Sequence, residues 1–201
     1  MKLQNKMLVA VAFAISTVGS FAQELEVNLQ IRPRFEYRNG FKELMKDYFY
    51  PTSFVSQRSR MNFFYKQEKF KANVSFQNVR VWGDVATTSP SDKNGVALFE
   101  SWISYDFNTN WTAKFGRQVL SYDNQRILGG IDWLQQGQSH DAVLVTNKKN
   151  GYQLDFGAAL NNNNEALYES AYVTNYKNMQ FIWFNQKFSK LSLSFLALNN
   201  G

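Results

Sequence analysis

Short turns and long polar loops alternate strictly along this chain of 201 residues. The short turns are predicted at 67–69, 108–110, 147–151 and 188–190, and the long connections at 38–53, 85–95, 119–139 and 161–177. Each segment between them reads as a β-strand. A hairpin meander with all short connections at one end and all long ones at the other is the plan of an outer-membrane barrel. The pattern therefore predicts an all-β, antiparallel, transmembrane β-barrel with its short turns in the periplasm.

The first 22 residues follow a different pattern. Lys2 and Lys6 precede a short apolar run, and a cleavage site with small residues ends at Ala22. The apolar run is too short for a spanning helix, so residues 1–22 are predicted to be a secretory signal peptide. The mature chain, residues 23–201, is expected to be the N-terminal part of the barrel.

Composition argues against several other classes of protein. The chain has no cysteine, so it can form neither a disulfide nor a lipoprotein anchor on its mature N-terminus. Its net charge of +6 is mild and no nucleic-acid-binding motif is visible, so no nucleic-acid partner is predicted. No later stretch has the roughly eighteen apolar residues of a membrane helix. A membrane role must come from strands, with outer-membrane lipid as the expected partner.

The first mature strand shows the clearest alternation. Apolar side chains from Leu25 to Tyr37 share one face, and polar or charged side chains from Glu26 to Arg38 share the other. Pro33 lacks a backbone donor, which predicts a bulge or an edge position there. The later strands are predicted at about 54–66, 70–84, 96–107, 111–118, 140–146, 152–160, 179–187 and 191–198.

The phase of two strands decides which side chains share the charged face. In the third strand the apolar alternation slips after Gln77, which predicts a β-bulge near Asn78 and assigns Arg80 to the charged face. In the fourth strand, Phe99 is assigned to the apolar face and Glu100 to the charged one. A soluble sheet with one core face is the alternative. The lack of helical periodicity and the aromatic apolar faces favour lipid instead.

Nine strands are an awkward number for a closed barrel. Bacterial single-chain barrels have an even number of strands, and an open sheet would leave two unpaired edges in lipid. The loop-like residues 199–201 follow the last strand. We therefore expect the mature chain, residues 23–201, to form about half of a larger barrel. The alternative is a barrel assembled from two such chains.

The segment 115–145 carries a group of short motifs. They include Gly116-Arg117-Gln118, Asp123 to Gly130 with Arg126 inside it, Asp132-Trp133, and Asp141 at the start of the next strand. This segment resembles the alginate export family of outer-membrane porins, and residues 80–84 are similar to the third strand of that family. Ser139-His140-Asp141 departs from the usual pattern, in which an aromatic residue precedes the aspartate. The resemblance implies a barrel of eighteen strands, a lumen rich in arginine and acidic residues, and passage of a polyuronate.

Independently of this resemblance, the charged faces of the strands are expected to line the lumen. Arginine presents a fixed fork of donors that suits carboxylates, and several forks would let anions pass by successive weak contacts. For any one arginine the alternative is a bracing contact with a carboxylate of a neighbouring strand. The candidate solute-binding residues are Arg32, Arg34, Arg58, Arg60, Arg80, Lys71, Glu36 and Glu100.

The connection 119–139 is long for a plain connector and too apolar for a solvated loop, since it contains Leu128 and Trp133. It is predicted to fold into the lumen as a constriction, and packing on the barrel rim is the alternative. Arg117 and Arg126 flank or lie within it. They are expected to pin the loop through Asp123 or Asp132.

Together these features predict an outer-membrane channel for passive passage of anionic or sugar-like solutes, including polyuronate export. The alternative is a surface glycan-binding barrel or adhesin without conductance, which would use loop aromatics such as Tyr48, Phe49, Tyr50 and Tyr168.

An enzyme is not predicted. Ser139 and His140 are adjacent on a strand and would point to opposite faces, so they cannot form a nucleophile and base. The sequence also shows no metal-ligand cluster and no glycine-rich phosphate loop, so no cofactor is predicted.

Overall fold

The computed structural model describes residues 23–41, 43–162, 164–165, 167 and 176–201. These residues form one antiparallel sheet in which each strand pairs with its neighbours in sequence. The predicted signal peptide lies outside the described residues. The nine strands are β1 (Gln23–Arg38), β2 (Thr52–Gln67), β3 (Phe70–Val81), β4 (Ala97–Asp106), β5 (Trp111–Gln118), β6 (His140–Lys149), β7 (Tyr152–Leu160), β8 (Asn178–Lys187) and β9 (Ser192–Asn200). The all-β meander predicted from the sequence is confirmed. The described part contains no helix long and apolar enough to cross a membrane.

Short and long connections alternate along the sheet as predicted. Residues 68–69, 107–110, 150–151 and 188–191 join strands at one end, and residues 39–51, 82–96, 119–139 and 161–177 join them at the other. The short turns have local causes. Asn108 Oδ1 accepts hydrogen bonds from the backbone N–H groups of Asn110 and Trp111. Glu68 and Asn150 adopt positive φ angles of 49° and 48° in the two tightest turns.

The two faces of the sheet differ in polarity. We call the face that contacts loop 119–139 the inner face and the opposite one the outer face. The outer face of β1 exposes an unbroken apolar series whose side chains are each more than half exposed: Leu25, Val27, Leu29, Ile31, Phe35 and Tyr37. In water this would be an unusually large apolar patch, but it is the surface expected of a barrel wall in lipid.

The sheet curves with its inner face concave. Eight strand spacings of about 4.8 Å would separate β1 from β9 by roughly 38 Å in a flat sheet. Nevertheless, loop 119–139 reaches both strands, because Asp132 contacts Arg32 in β1 and Asp123 contacts Ser194 in β9. A hydrogen bond of 3.0 Å from Tyr122 N–H to the Leu128 carbonyl folds the intervening loop back on itself. The four residues from 128 to 132 span at most about 14 Å, so the two contacts together indicate a curved sheet.

The sheet is open, and β1 and β9 are its two edges. Pro33 lies in β1 opposite Gln57, in a register that runs from end to end without a shift. Of the two positions that the sequence predicted for this proline, the structure therefore shows the edge strand and not the bulge. A proline is tolerated there because an edge strand leaves alternate N–H groups unpaired.

The predicted bulge near Asn78 is wrong. The register between β2 and β3 continues unbroken from Gln67 opposite Phe70 to Ser56 opposite Val81. Val79 therefore shares the inner face with its partner Arg58, and Arg80 shares the outer face with Gln57. Val79 and Val81 make the hydrophobic alternation in the sequence look shifted, although the register of the backbone does not shift.

The irregularity of this region lies in the pairing of β3 with β4 instead. Ser75 is opposite Glu100 and Phe76 is opposite Leu98, which leaves Phe99 as the extra residue. The predicted apolar-face position of Phe99 is consequently wrong. Its ring is buried on the inner face, where the Arg60 guanidinium lies 3.5 Å from the ring centroid. The bulge thus places an aromatic ring beneath an arginine.

Candidate functional site: the inner loop and its arginine anchors

The loop between β5 and β6, residues 119–139, crosses the inner face, and we call it the inner loop. Arg32 of β1 anchors its second half through main-chain carbonyls. The Nη1 of Arg32 donates to the Asp132 carbonyl at 2.7 Å, and its Nη2 donates to the Leu134 carbonyl at 2.8 Å. Arg34 donates from Nη1 to the Trp133 carbonyl at 2.8 Å. Alternation along β1 places both arginines on the inner face, one pleat apart.

Arg58 of β2 is the most deeply buried of these anchors, with 1% of its side chain exposed. Its Nη1 donates to Asp132 Oδ1 at 2.8 Å, and its Nε and Nη2 donate to Gln30 Oε1 at 3.1 and 2.6 Å. A buried guanidinium must have its donors satisfied, and the loop carboxylate supplies the only opposite charge within ion-pair distance among the described residues. Removing Asp132 would therefore leave the buried charge of Arg58 without a counter-ion.

Arg60 continues the row on β2. It donates to Gln77 Oε1 at 2.7 Å and more weakly to the Gln136 carbonyl at 3.5 Å, while its guanidinium covers the Phe99 ring. The side-chain amide of Gln77 also donates to the Gln136 carbonyl at 2.9 Å. Residues 132–136 of the inner loop are therefore held against β1, β2 and β3 by a row of side chains.

The first half of the inner loop is held against β6, β7 and β8, on the same inner face, by apolar packing. Leu120, Tyr122 and Leu128 are buried in a cluster with residues of β6, β7 and β8, namely Ala142, Ala159, Met179 and Phe181. The Tyr122 hydroxyl donates to Asp155 Oδ2 at 3.0 Å. Burial and the charge of Asp155 raise the pKa of Tyr122 well above its ordinary value, so this hydroxyl remains a donor.

Asp123 extends this second attachment to the far edge of the sheet. It accepts hydrogen bonds from Trp183 Nε1 at 3.0 Å and from Ser194 Oγ at 2.5 Å. Ser194 lies near the short-turn end of β9, so the loop descends well inside the sheet rather than resting on its long-loop rim. Attachment on both sides makes the inner loop a bar across the concave face.

The other predicted inner-face residues form three smaller contacts. Glu36 accepts from Arg34 at 2.7 Å and from Arg38 at 2.6 Å. Lys71 pairs with Asp106 at 2.7 Å near the short turns. Glu100 accepts from Trp102 Nε1 and from the Val119 backbone N–H, both at 3.2 Å, and so fixes the start of the inner loop.

Arg80 does not join the other predicted lumen residues. It lies on the outer face, where it is bonded to Asn78 Oδ1 and to Asp92 of loop 82–96. The neighbouring Trp82 donates from Nε1 to Gln57 Oε1 at 3.0 Å on the same face. The outer face is therefore polar at its long-loop end, which is where a barrel wall leaves the hydrocarbon.

The motif residues of β5 and β6 are placed around one point of the sheet. Arg117 pairs with Asp141 at 2.7 Å, on the outer face beside Phe115 and Val143. The expectation that Arg117 pins the loop through Asp123 or Asp132 is therefore wrong, because its position in the strand turns it away from the loop. Gln118 is fully buried on the inner face and donates to the Ala142 carbonyl at 2.9 Å.

Two motif residues lie on the inner loop itself. Arg126 is exposed and forms no ion pair within the part of the chain that the structure describes. It therefore does not pin the loop. Trp133 holds the loop through its carbonyl, while its indole is 73% exposed.

Three glutamine side chains complete the anchors and were not predicted. Gln30 and Gln77 hold Arg58 and Arg60, and Gln135 Nε2 donates to the Ser56 carbonyl at 3.1 Å and to Ser56 Oγ at 3.0 Å. Alternation places Gln30 and Gln77 on the polar face of their strands. Nothing in the sequence of the loop indicates that Gln135 is buried.

Among the described residues, the side chain of His140 contacts a tyrosine and not a serine. Its Nδ1 lies 2.6 Å from the Tyr176 hydroxyl, and the two rings are stacked with centroids 5.8 Å apart. Its Nε2 is buried and has no hydrogen-bond partner within the described residues. Asp141 points to the opposite face and pairs with Arg117. The adjacent residues Ser139, His140 and Asp141 are thus not arranged as a catalytic triad.

Acid is expected to loosen the inner loop through Asp132. Burial opposes its charge, but the hydrogen bond and charge of Arg58, together with Arg32, hold the pKa of this carboxyl below its usual range. The stabilising contribution is complete above the unfolded pKa of about 3.9 and disappears as pH falls through the lower folded value. Protease cleavage within the loop should therefore increase below about pH 4. An Asp132→Asn variant should be cleaved readily at all pH values, and an unaltered pH profile in that variant would contradict this assignment.

Comparison with known proteins agrees with the antiparallel meander described above. The sequence profile of a family described as alginate export matches residues 23–160, which include the inner loop and all its arginine anchors. No curated protein matches the chain. The match covers more than half of the chain, and the nine-stranded meander is the layout expected of that family. The chain belongs to the alginate export family, a family of outer-membrane porins.

Proposed function

We propose that this protein is a passive outer-membrane channel for anionic, sugar-like solutes, and that the inner loop narrows its lumen. The observation that carries the proposal is the row of inner-face arginines at the level of the loop. Among the described residues, this face carries five arginines, Arg32, Arg34, Arg38, Arg58 and Arg60, and the carboxylates within ion-pair distance of them are Glu36 and Asp132. The narrowest part of the passage therefore has an excess of positive charge.

This positive charge is not neutralised by the contacts that hold the arginines in place. Most of their acceptors are neutral, because they are loop carbonyls and the side-chain amides of Gln30 and Gln77. A guanidinium bonded to a neutral oxygen keeps its full charge and still has a fixed orientation. A solute anion would meet ordered cations at several successive positions, which favours conduction over tight binding.

The outer face supports the membrane side of the proposal. Its exposed apolar side chains continue from β1 across β4, β5 and β9, where they include Ile103, Phe115 and Phe195. Lipid-exposed sheet edges are not stable, so we propose that β1 and β9 pair with further strands to close the wall. The expected total of eighteen strands belongs to this proposal.

Replacing Arg34 and Arg60 together with glutamine is expected to lower the preference for anions. The reversal potential of single channels in a salt gradient should give a chloride-to-potassium permeability ratio reduced roughly threefold, because two fixed charges leave the narrow region. Replacing Arg80 and Arg117 together with glutamine is the matched control, since it removes two equal charges from the outer face. An unchanged ratio in the double variant would remove the electrostatic basis of the proposal.

The same recordings address the alternative of a surface glycan binder without conductance. Tyr48 and Tyr50 in loop 39–51 are 72% and 91% exposed and could stack on sugars, while Tyr168 lies outside the described residues. A protein that binds glycans through these side chains and shows no channel activity would favour that alternative. The ordered arginines within the sheet have no role in it, so the channel is the better supported function.

A further inference from the structure

The inner face contains a polar cavity at its short-turn end, below the inner loop. It has a volume of ≈ 680 Å³ and is lined by the ends of β3, β4, β5 and β6 with the turn 107–110. The side chains that define its chemistry are Lys69, Lys71, Asp106, Thr112, Thr146 and Lys148. We call this cavity the mouth site.

The mouth site has an excess of cations. Among the described residues that line it, Asp106 is the one carboxylate, and both of its oxygens are occupied: Oδ2 by Lys71 at 2.7 Å and Oδ1 by the Thr112 hydroxyl at 2.7 Å. Lys69 and Lys148 form no ion pair within the part of the chain that the structure describes. Two ammonium groups therefore remain available to a negatively charged solute, beside hydroxyl groups of threonine.

An aromatic surface lies next to the mouth site on the way to the inner loop. Trp102 of β4 and Phe64 of β2 face inward with ring centroids 6.3 Å apart. The ammonium of Lys114 lies 3.9 Å from the centroid of the Trp102 ring. Aromatic faces favour the apolar C–H surface of a sugar ring, and lysine favours its carboxylate.

We propose that the mouth site captures one sugar unit of an acidic polysaccharide of the uronate class as it enters from the short-turn side. This inference rests on the proposed function and adds an entry site to it. Lys69 and Lys148 would pair with the carboxylate, Thr146 would bind a hydroxyl, and Trp102 would support the next sugar. Lysine ammoniums on flexible stems hold an anion less rigidly than arginine forks do, which suits a site that must release its solute onward.

The test records block of single channels by a uronate trisaccharide added to either side of a planar bilayer. In the natural protein, block should begin more often when the sugar is on the short-turn side. The Lys69→Gln, Lys148→Gln double variant should reduce the on-rate from that side about tenfold, since local steering charges are lost. The Lys69→Arg, Lys148→Arg variant should restore it, and Lys93→Gln in loop 82–96 should leave it unchanged.

A second variant separates sugar binding from general attraction of anions. Thr146→Val removes a hydroxyl without changing charge or shape, so it should shorten each blocking event severalfold and leave chloride selectivity unaltered. An unchanged on-rate in the double glutamine variant, or an unchanged block duration in Thr146→Val, would overturn the mouth site. If the channel conducts anions but the trisaccharide blocks equally from both sides, the mouth-site proposal is contradicted and the proposed channel function is still supported. If no conductance is seen at all, the proposed function itself fails.

Discussion

Channels that lack residues 128–136 are expected to conduct at least about twice the current of the natural protein in the same salt solution. This segment includes Asp132 and the carbonyls that Arg32, Arg34 and Arg60 hold, so its removal takes the bar off the inner face. Current through a pore depends on its narrowest section. Single-channel recording in planar bilayers measures this directly.

The deletion needs a control for loop shortening and a check of folding. Removing residues 43–49 shortens the exposed loop between β1 and β2, where Leu44 is 96% exposed, and should leave the conductance unchanged. Heat-modifiable migration on gels reports whether each variant has a folded barrel. A folded variant without residues 128–136 that conducts like the natural protein would show that the inner loop does not limit the passage.

The second large effect is expected from Gly116→Ala in β5. Gly116 has a φ of +118°, and a Cβ built there would lie 2.3 Å from the Ser101 carbonyl oxygen and 3.0 Å from the Trp102 Cα. Both obstacles belong to the backbone of β4, so no side-chain rotation can relieve them. We expect a loss of about 4 kcal/mol in the free energy of unfolding, measured by urea titration of the folded protein in detergent.

Gly83→Ala provides the matched control for Gly116→Ala. Gly83 also has a positive φ, +84°, but no atom lies within 4 Å of a Cβ built there. This variant has only the backbone strain of the positive φ, so its free energy of unfolding should fall by about 1–2 kcal/mol. Equal losses in the two variants would mean that the contact with β4 is not the cause.

The wall of this barrel could be predicted from the sequence in some detail. The bounds of β5 and β7, residues 111–118 and 152–160, agree with the prediction, and the alternation of short and long connections is confirmed. Period-two alternation in lipid is strict because each side chain faces either lipid or the interior. Turn residues such as Asn108 mark the ends of strands through their own hydrogen bonds.

Arg80 and Phe99 show where reasoning from alternation fails. Both errors come from misplacing a bulge, because an extra residue changes the face of later side chains. A bulge predicted near Asn78 put Arg80 on the wrong face, and the bulge at Phe99 was not predicted. The sequence placed it near Asn78, where the outer face becomes polar beyond the lipid, whereas the structure places it at Phe99. A strand that leaves the lipid and a strand that contains a bulge produce the same change in the hydrophobic pattern of the sequence.

The attachment of the inner loop could not be predicted for a different reason. Alternation placed Arg32, Arg34, Arg58 and Arg60 on one face, and that face is the one they occupy. Their partners are mostly main-chain carbonyls, which every residue has, so the loop sequence gives no sign of them. Alternation left two roles open for these arginines, binding of solute or a bracing contact with a carboxylate, and most of their observed bonds go to the inner loop.

The connectivity of the sheet has a consequence for the order of assembly. Every strand pairs with its neighbour in sequence, whereas the bonds from Arg32 to the inner loop join residues 100 to 103 positions apart. Distant contacts carry a larger closure entropy, so the hairpins are expected to form first and the bar last. Loss of the bonds from Arg32 and Arg34 would release the second half of the loop without breaking a single strand pairing. Damage to these two side chains would therefore make the channel leaky while its wall stays folded.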